Sequence, residues 1–233
     1  MIKYQDFDHS IFDQFAKIFD SRIMPGVIGL EGIPFAGKTT FAENLASTNG
    51  GIIIPEHTDF DLHARNLALS PWPENSTSAI ARQNYFYFIE HRRAVAASYA
   101  VKNGSQVVMD RTALSVVVYS LTRAATGSCS FKNIYDLKTI SEDSGIRFPE
   151  TLYLLLTPTD IALKRAMKLS DAGTPRSIES FFLDSQNLKL MNNFYEKITS
   201  RLHYCKVIIK YCHNESSDIG IHRSSPLSSE NHS

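Results

Sequence analysis

The residues most suited to chemistry are the eight at positions 32–39, GIPFAGKT, which fit the phosphate-binding pattern G-x-x-x-x-G-K-[ST] without a mismatch. The two fixed glycines let the backbone turn tightly and aim its N–H groups at phosphate oxygens. The lysine supplies a cation for the β- and γ-phosphates of a nucleoside triphosphate, and the threonine hydroxyl is a magnesium ligand. We expect the phosphate contacts to come from Gly32, Ala36, Gly37, Lys38, Thr39 and Thr40.

The loop predicts a bound nucleoside triphosphate but not a reaction, because GTPases, motor ATPases and small-molecule kinases all contain it. The sequence has no Asn-Lys-x-Asp motif of the kind that reads guanine. It also has no apolar run ending in Asp-Glu, which is typical of motor ATPases. The remaining class is a kinase that uses ATP and Mg²⁺.

Charged side chains follow two other apolar runs. Glu56 follows residues 51–54, where a carboxylate can accept a proton from an attacking hydroxyl or hold a magnesium-bound water. Asp110 and Arg111 follow residues 106–109. The aspartate is a candidate magnesium ligand, and the planar guanidinium suits an acceptor phosphate or the γ-phosphate. The alternatives are a solvated loop carboxylate and a surface ion pair.

The predicted helix 78–102 carries side chains suited to a nucleobase pocket: an amide at Gln83, a ring at Phe88 and a guanidinium at Arg92. Phe88 and Arg92 share one face because they are four residues apart, whereas Gln83 shares another face with Glu90. Amides hydrogen-bond to base edges, and rings stack on bases. Core packing is the alternative for any one ring.

Cations are frequent after the apolar run at 151–156, and Arg165 and Arg176 are the two on which a lid hypothesis rests. A mobile lid over residues 159–176 would close on ATP and screen the charge that develops in the transferring group. The alternative for Lys164 and Lys168, one turn apart, is a solvated helix face.

The elements that must position these groups alternate along the chain. Five short apolar runs predict buried strands, at 26–30, 51–54, 106–109, 151–156 and 206–209. Helical patterns fall between or beside them, at 38–47, 78–102, 112–126, 131–144, 159–169 and 177–202. The alternation predicts an α/β fold, the P-loop NTPase three-layer sandwich, with a five-stranded parallel sheet, helices on both faces and a helical lid. Ligands of such folds bind beyond the carboxyl ends of the strands, where the candidate residues follow the apolar runs.

The ends of the chain differ from this domain, which we assign to residues 26–212. Apolar residues at helical spacing over 4–20 predict an N-terminal helical extension, within residues 1–25, that packs on the domain or on a second copy. Residues 213–233 are rich in Ser, Asn and His, so we expect a poorly ordered tail.

The bulk composition excludes several other classes. Lys plus Arg number 24 and Asp plus Glu number 24, which argues against a nucleic-acid or anionic-membrane binder. No apolar run approaches the roughly 18 residues of a membrane span, and no signal pattern opens the chain. The three cysteines form no Cys-x-x-Cys pair. We expect a cytoplasmic protein with free thiols and a small-molecule nucleoside or nucleotide partner.

Together these residues resemble the thymidylate kinase and deoxynucleoside kinase group of P-loop kinases, over about residues 26–210. The segment EGIPFAGKTT at 31–40 looks like the phosphate loop of that group. The spacing Asp110-Arg111-x3-Ser115-x3-Tyr119 is similar to a thymidylate kinase segment whose arginine contacts the acceptor phosphate, so the resemblance implies acceptor contacts from Arg111 and Tyr119. Phe88-x3-Arg92 matches the base-stacking and base- or phosphate-contacting pair of the group. Kinases of this group are often dimers.

Two features place the sequence between the branches of that group. Pro55-Glu56 resembles nucleoside kinases, in which this glutamate is the base toward the 5′-hydroxyl, instead of the Arg-Glu-Pro-Gly-Gly of thymidylate kinases. Pro34 and Phe35 are apolar where thymidylate kinases often place a charge.

The main hypothesis from the sequence is ATP-dependent phosphoryl transfer to a nucleoside monophosphate, with Lys38, Glu56, Arg111 and Arg165 as catalytic residues. The acceptor would be bound by Glu56, Gln83, Phe88, Arg92, Arg111 and Tyr119, and the metal by Thr39 and Asp110. The alternatives are a deoxynucleoside kinase with Glu56 as base, a kinase of a modified nucleoside or another small hydroxyl compound, and a nucleotide-binding regulator without transfer activity.

Overall fold

The computed structural model describes residues 10–70, 73, 76–127, 145–171 and 180–212. Its centre is a five-stranded sheet in the order β2-β3-β1-β4-β5, with every neighbouring pair parallel. The strands are β1 (Ile23–Glu31), β2 (Ile52–Ile54), β3 (Val107–Asp110), β4 (Phe148–Leu156) and β5 (Lys206–Tyr211). The predicted fold class, an α/β P-loop sandwich, is confirmed.

Eight α-helices and one short 3-10 helix accompany the sheet in the described part of the chain. They are α1 (Ser10–Asp20), α2 (Lys38–Asn49), α3 (His57–Phe60), α4 (Leu62–Leu69), α5 (Ser76–Lys102), α6 (Ala113–Ala125), α7 (Thr159–Asp171), the 3-10 helix Ser180–Leu183 and α8 (Ser185–Thr199). Of these, none combines the length and apolar content that crossing a membrane requires.

Several element boundaries differ from the sequence prediction. Strands β1 and β4 each begin three residues earlier than predicted, and the two short helices α3 and α4 had no predicted counterpart. The predicted helix 177–202 is interrupted, because the Asp184 carboxylate accepts hydrogen bonds from the amides of Gln186 (2.7 Å) and Asn187 (3.2 Å) and so caps a new helix. The predicted helix 131–144 and the tail 213–233 lie outside the described residues.

Helix α1 packs into the main core. The Phe12 ring lies 5.7 Å from that of Phe194 in α8, and the Phe19 ring stacks on Phe148 of β4 at 4.5 Å. The buried face of α1 therefore joins the apolar cluster formed by α6, α8 and β4. Residues 4–9 of the predicted N-terminal helix lie outside the described part.

The five strands end at the same edge of the sheet, and the candidate site residues lie at this edge. Because all five are parallel, their carboxyl ends meet at one side of the sheet, where the loops after β1, β2 and β3 carry most of the candidate residues. Strand β1 lies between β3 and β4, so the phosphate loop that follows it is central in that edge.

Candidate active site

The phosphate loop connects β1 to α2 in a backbone conformation that only certain residues tolerate. Gly32 has φ 144°, and a Cβ at this position would lie 2.5 Å from the carbonyl oxygen of Leu155. Gly37 has φ 91° and directly precedes α2. Phe35 is a non-glycine residue at φ 63°, and its carbonyl accepts a hydrogen bond from Arg165 Nη1 at 3.2 Å. The loop is thus shaped by two glycines and held by a cation from α7.

Lys38 lies inside this loop. Its Nζ donates hydrogen bonds to the carbonyl oxygens of Gly32 (3.0 Å) and Ile33 (2.7 Å), and the residue is 5% exposed. Burial, followed by the nearby Arg111 guanidinium, lowers the pKa of Lys38 to about 7, against the opposing effect of the surrounding carboxylates. The phosphates of a bound nucleotide would offer the ammonium form anionic acceptors.

Thr39 and Asp110 meet next to the loop. The Thr39 hydroxyl donates to Asp110 Oδ2 at 2.7 Å, whereas the other carboxylate oxygen, Oδ1, is buried without a hydrogen-bond partner. No cluster of three or more His, Cys, Asp or Glu side chains that could hold a metal occurs in the described residues. Mg²⁺ nevertheless fits this pair, because it usually keeps several waters and binds through one or two protein groups together with substrate phosphates.

Glu56 and Arg111 form an ion pair across the ends of β2 and β3. Arg111 Nε donates to Glu56 Oε2 at 2.7 Å, and Arg111 Nη1 donates to the carbonyl of Gly32 (3.3 Å) and to the Ser115 hydroxyl (3.2 Å). Burial acts to raise the pKa of Glu56, but the Arg111 guanidinium, with His57 and Lys38, outweighs it and holds the pKa well below the usual range. Glu56 is therefore ionised at neutral pH.

Glu31 is a site residue that the sequence reasoning did not select. Its carboxylate is fully buried and accepts hydrogen bonds from the amide (2.8 Å) and hydroxyl (2.6 Å) of Thr112 and from the amide (3.1 Å) and hydroxyl (2.6 Å) of Ser115. It thereby fixes the start of α6 directly after Arg111. The available signal was a glutamate at the end of a buried strand, since a buried carboxylate requires partners.

Two of the α5 candidates, Phe88 and Arg92, lie beside each other on the outer part of the helix. Arg92 is paired with Asp61 (Nη1–Oδ2 3.4 Å), and its guanidinium lies 5.9 Å from the ring of Phe88. Phe88 is 52% exposed. The acceptor-binding role of Arg92 stays a prediction, and the neighbouring Arg93 is the α5 side chain that reaches the strand ends, through the carbonyls of Asp110 and Arg111.

Gln83 is buried on the inner face of α5, and its Nε2 donates to the Ser120 hydroxyl of α6. Its Oε1 is buried without a hydrogen-bond partner.

Tyr119 of α6 contacts the Arg111 guanidinium, whose Cζ lies 5.4 Å from the centre of the Tyr119 ring. The centre of the same ring lies 5.2 Å from that of the Phe182 ring.

The remaining candidates belong to the loop and the lid. Ala36 is buried and its amide donates to the carbonyl of Ile33 at 3.3 Å, whereas Thr40 is exposed at the first turn of α2. Arg176 lies outside the described residues. The structure thus brings together the loop, Glu56, Asp110, Arg111, Tyr119 and Arg165 at one edge of the sheet.

No protein-family model matches the sequence, and no match was found among curated proteins. Solved structures of deoxyadenosine kinase from M. mycoides are similar. With bound dCTP the identity is 14%, the TM-score is 0.59, and the match covers 78% of this chain and 88% of that chain. With the products dCMP and a flexible dCDP bound, the identity is 16% and the TM-score 0.62, with 78% of this chain and 88% of that chain covered. With bound dATP, the identity is 16% and the TM-score 0.60, with 78% of this chain and 89% of that chain covered. The chain has the fold of a P-loop deoxynucleoside kinase. At this identity the similarity establishes the fold alone.

Proposed function

We propose that this protein is an ATP-dependent kinase that phosphorylates a hydroxyl group of a nucleoside. The observation that carries the proposal is the 2.7 Å ion pair between Glu56 and Arg111 beside the phosphate loop. A carboxylate in this position suits a neutral hydroxyl, from which it can accept a proton. It does not suit an acceptor phosphate, because the two anions would repel each other.

The cations offered for an acceptor phosphate already have carboxylate partners. Arg111 is 7% exposed and paired with Glu56, and Arg92 is paired with Asp61. Binding a second phosphate would require breaking this part-buried pair and leaving the Glu56 carboxylate, whose side chain is 21% exposed, without its partner. For this reason we favour the nucleoside over the monophosphate that the sequence suggested first.

The proposed reaction is an in-line transfer. The acceptor hydroxyl gives its proton to the Glu56 carboxylate, and its oxygen forms a bond to the γ-phosphorus of ATP. The bond between that phosphorus and the bridging oxygen breaks, and ADP leaves with the electron pair. Lys38 and Arg165 lie at the loop, where their charges would stabilise the transferring group.

Thr39 and Asp110 are the residues that would hold Mg²⁺. The ion supplies charge neutralisation on the phosphates when bound. The Thr39 hydroxyl donates to Asp110 Oδ2, which keeps both side chains beside the loop. Asp110 is buried, and its Oδ1 has no hydrogen-bond partner. This oxygen could therefore bind an ion that enters with the nucleotide.

A coupled ATP-consumption assay across nucleosides and nucleoside monophosphates tests the proposal. We expect turnover with one or more nucleosides and none with the monophosphates. Glu56→Gln should lower kcat by roughly 10²- to 10⁴-fold, since it removes the proton acceptor, with little change in the KM for ATP. Glu150→Gln is the matched control, because Glu150 bonds to the amide of Gly26 at the opposite end of the sheet.

Three outcomes would contradict the proposal. Turnover with monophosphates alone would indicate a nucleoside monophosphate kinase, in which the Glu56–Arg111 pair opens. ATP binding without transfer to any acceptor would indicate a regulator. Equal kcat values for Glu56→Gln and Glu150→Gln would remove Glu56 from the mechanism.

A further inference from the structure

Arg93 of α5 is fully buried and binds the backbone at the ends of two strands. Its Nε donates to the carbonyl of Pro55 at 2.9 Å, and its Nη2 donates to the carbonyls of Asp110 (2.7 Å) and Arg111 (3.0 Å). Pro55 directly precedes Glu56. One guanidinium therefore connects the two backbone segments that carry the Glu56–Arg111 ion pair.

We propose that Arg93 is a positioning residue that sets the distance between the Glu56 carboxylate and the Arg111 guanidinium. The inference rests on the proposed function, in which Glu56 accepts the proton of the acceptor hydroxyl. Arg93 touches no reacting group in this scheme. It acts through the three carbonyls, which fix where the β2 and β3 ends lie relative to each other.

The charge of Arg93 is balanced inside the protein. Its Nη1 donates to Glu90 Oε1, and His57 Nδ1 lies 3.3 Å from the same oxygen. Burial acts to raise the pKa of Glu90, but Arg93 and His57 outweigh it and the pKa lies below the usual range. Glu90 is therefore an anion that keeps Arg93 in place, and it also contacts the residue that follows Glu56.

The backbone of Arg111 needs such support. Arg111 has φ 68°, an uncommon conformation for a non-glycine residue that persists only where its surroundings hold it. Arg93 binds the carbonyl of Arg111, and Glu31 binds the amide of the next residue, Thr112, at 2.8 Å. The turn is thus held on both sides, and Arg93 also binds the carbonyl of Pro55, the residue before Glu56.

An arginine is needed for this geometry. Its planar guanidinium presents donors in a fixed fork, so one side chain can serve three carbonyls and a carboxylate. A lysine ammonium is a point charge with three donors on a flexible stem. Arg93→Lys keeps the positive charge opposite Glu90 but cannot span the Pro55 and Asp110 carbonyls in the same way.

The test compares Arg93→Lys with Arg201→Lys in the coupled ATP-consumption assay. Arg201 is the matched control because it also binds a carboxylate, Asp13 (2.6 Å), and a backbone carbonyl, that of Lys197 (2.6 Å), on elements remote from the loop. We expect Arg93→Lys to lower kcat on the order of 10²-fold, as for a displacement of about 1 Å, with the KM for ATP nearly unchanged. Arg201→Lys should keep the wild-type kcat.

A double-mutant cycle with Glu56→Gln separates positioning from a general structural role. If Arg93 acts through Glu56, Arg93→Lys should cost little further activity in the Glu56→Gln background. Equal fold-losses in both backgrounds, or a kcat for Arg93→Lys equal to that of Arg201→Lys, would overturn the inference. If Arg93→Lys does not fold, Arg93→Gln combined with Glu90→Gln removes the fork and its counter-charge together, and wild-type kcat in that variant would overturn it too.

A measurement without turnover distinguishes this inference from the proposed function. The Arg111 Nε–H resonance reports the bond to Glu56, so it should shift in Arg93→Lys and stay unchanged in Arg201→Lys. Absence of turnover in the wild type would refute the proposed kinase activity alone. An unchanged Arg111 resonance in folded Arg93→Lys would refute the positioning role.

Discussion

Lys38 is a buried lysine whose Nζ donates hydrogen bonds to two neutral carbonyls. Its pKa of about 7, lowered by burial and by Arg111, means that at pH 8 most molecules carry a neutral amine at this position. Bound phosphates favour the ammonium form, because they supply anionic oxygens within the loop. Nucleotide binding above pH 7 must therefore take up a proton, whereas at pH 6 the lysine is already charged.

We expect ATP titrated calorimetrically at pH 8 to give a binding enthalpy that depends on the ionisation enthalpy of the buffer, with a sign that corresponds to proton uptake. The dependence attributable to Lys38 should vanish in Lys38→Met. A buffer-independent enthalpy at pH 8 in the wild type would show that the lysine is charged before the nucleotide arrives.

The sequence indicated which residues gather at the site better than it indicated their hydrogen-bond partners. Lys38, Glu56, Asp110 and Arg111 could be selected because strand ends in a parallel sheet meet at one edge. Arg93 was missed because Arg92 was selected through the family resemblance, although Arg93 lies three residues after Glu90, on the buried face of α5 that also carries Gln83. Glu31 was missed because its partners at 112 and 115 are remote in the chain.

At the scale of elements, the alternation of apolar runs and helical patterns was enough to predict the parallel sheet. The boundary between the 3-10 helix and α8 was not predicted, because the apolar pattern continues across it. The interruption comes from one side chain, Asp184, which caps α8 with two hydrogen bonds to backbone amides. The cap directs α8 so that its buried face, including Met191 and Tyr195, packs on the core.

Asp184→Ala should lower the free energy of unfolding by about 1 kcal/mol, because two amides of the first turn lose their acceptor. Asp184→Asn keeps an acceptor oxygen and should stay within a few tenths of a kcal/mol of the wild type. Urea unfolding followed by circular dichroism gives both values. Equal losses in the two variants would mean that charge, and not the cap, is what matters at this position.

At the scale of the whole molecule, α1 contributes to the same core as the elements of the sheet. Phe12, Phe15 and Phe19 are each 0–1% exposed. Single domains have only about 5–15 kcal/mol of stability, so one of these rings represents a large share of the total. In the part that the structure describes, the predicted N-terminal extension is thus packed into the same core as the domain.

Phe19→Ala should destabilise the protein by roughly 3–5 kcal/mol, because it removes a buried ring stacked on Phe148 and leaves a cavity. Tyr204→Ala is the control: this ring is 76% exposed, and the change should cost no more than about 0.5 kcal/mol. Chemical unfolding measures both. A loss below about 1 kcal/mol for Phe19→Ala would show that α1 detaches without cost to the rest of the domain.

The packing of α1 on α8 has a consequence for synthesis. Phe12 is synthesised well before its ring partner Phe194, which belongs to α8. At 5–20 residues per second, the helix waits on the order of 10–40 s for that partner. During this interval the Phe12 ring lacks the α8 surface that covers it in the folded protein, so a nascent chain exposes an apolar helix face until α8 has been made.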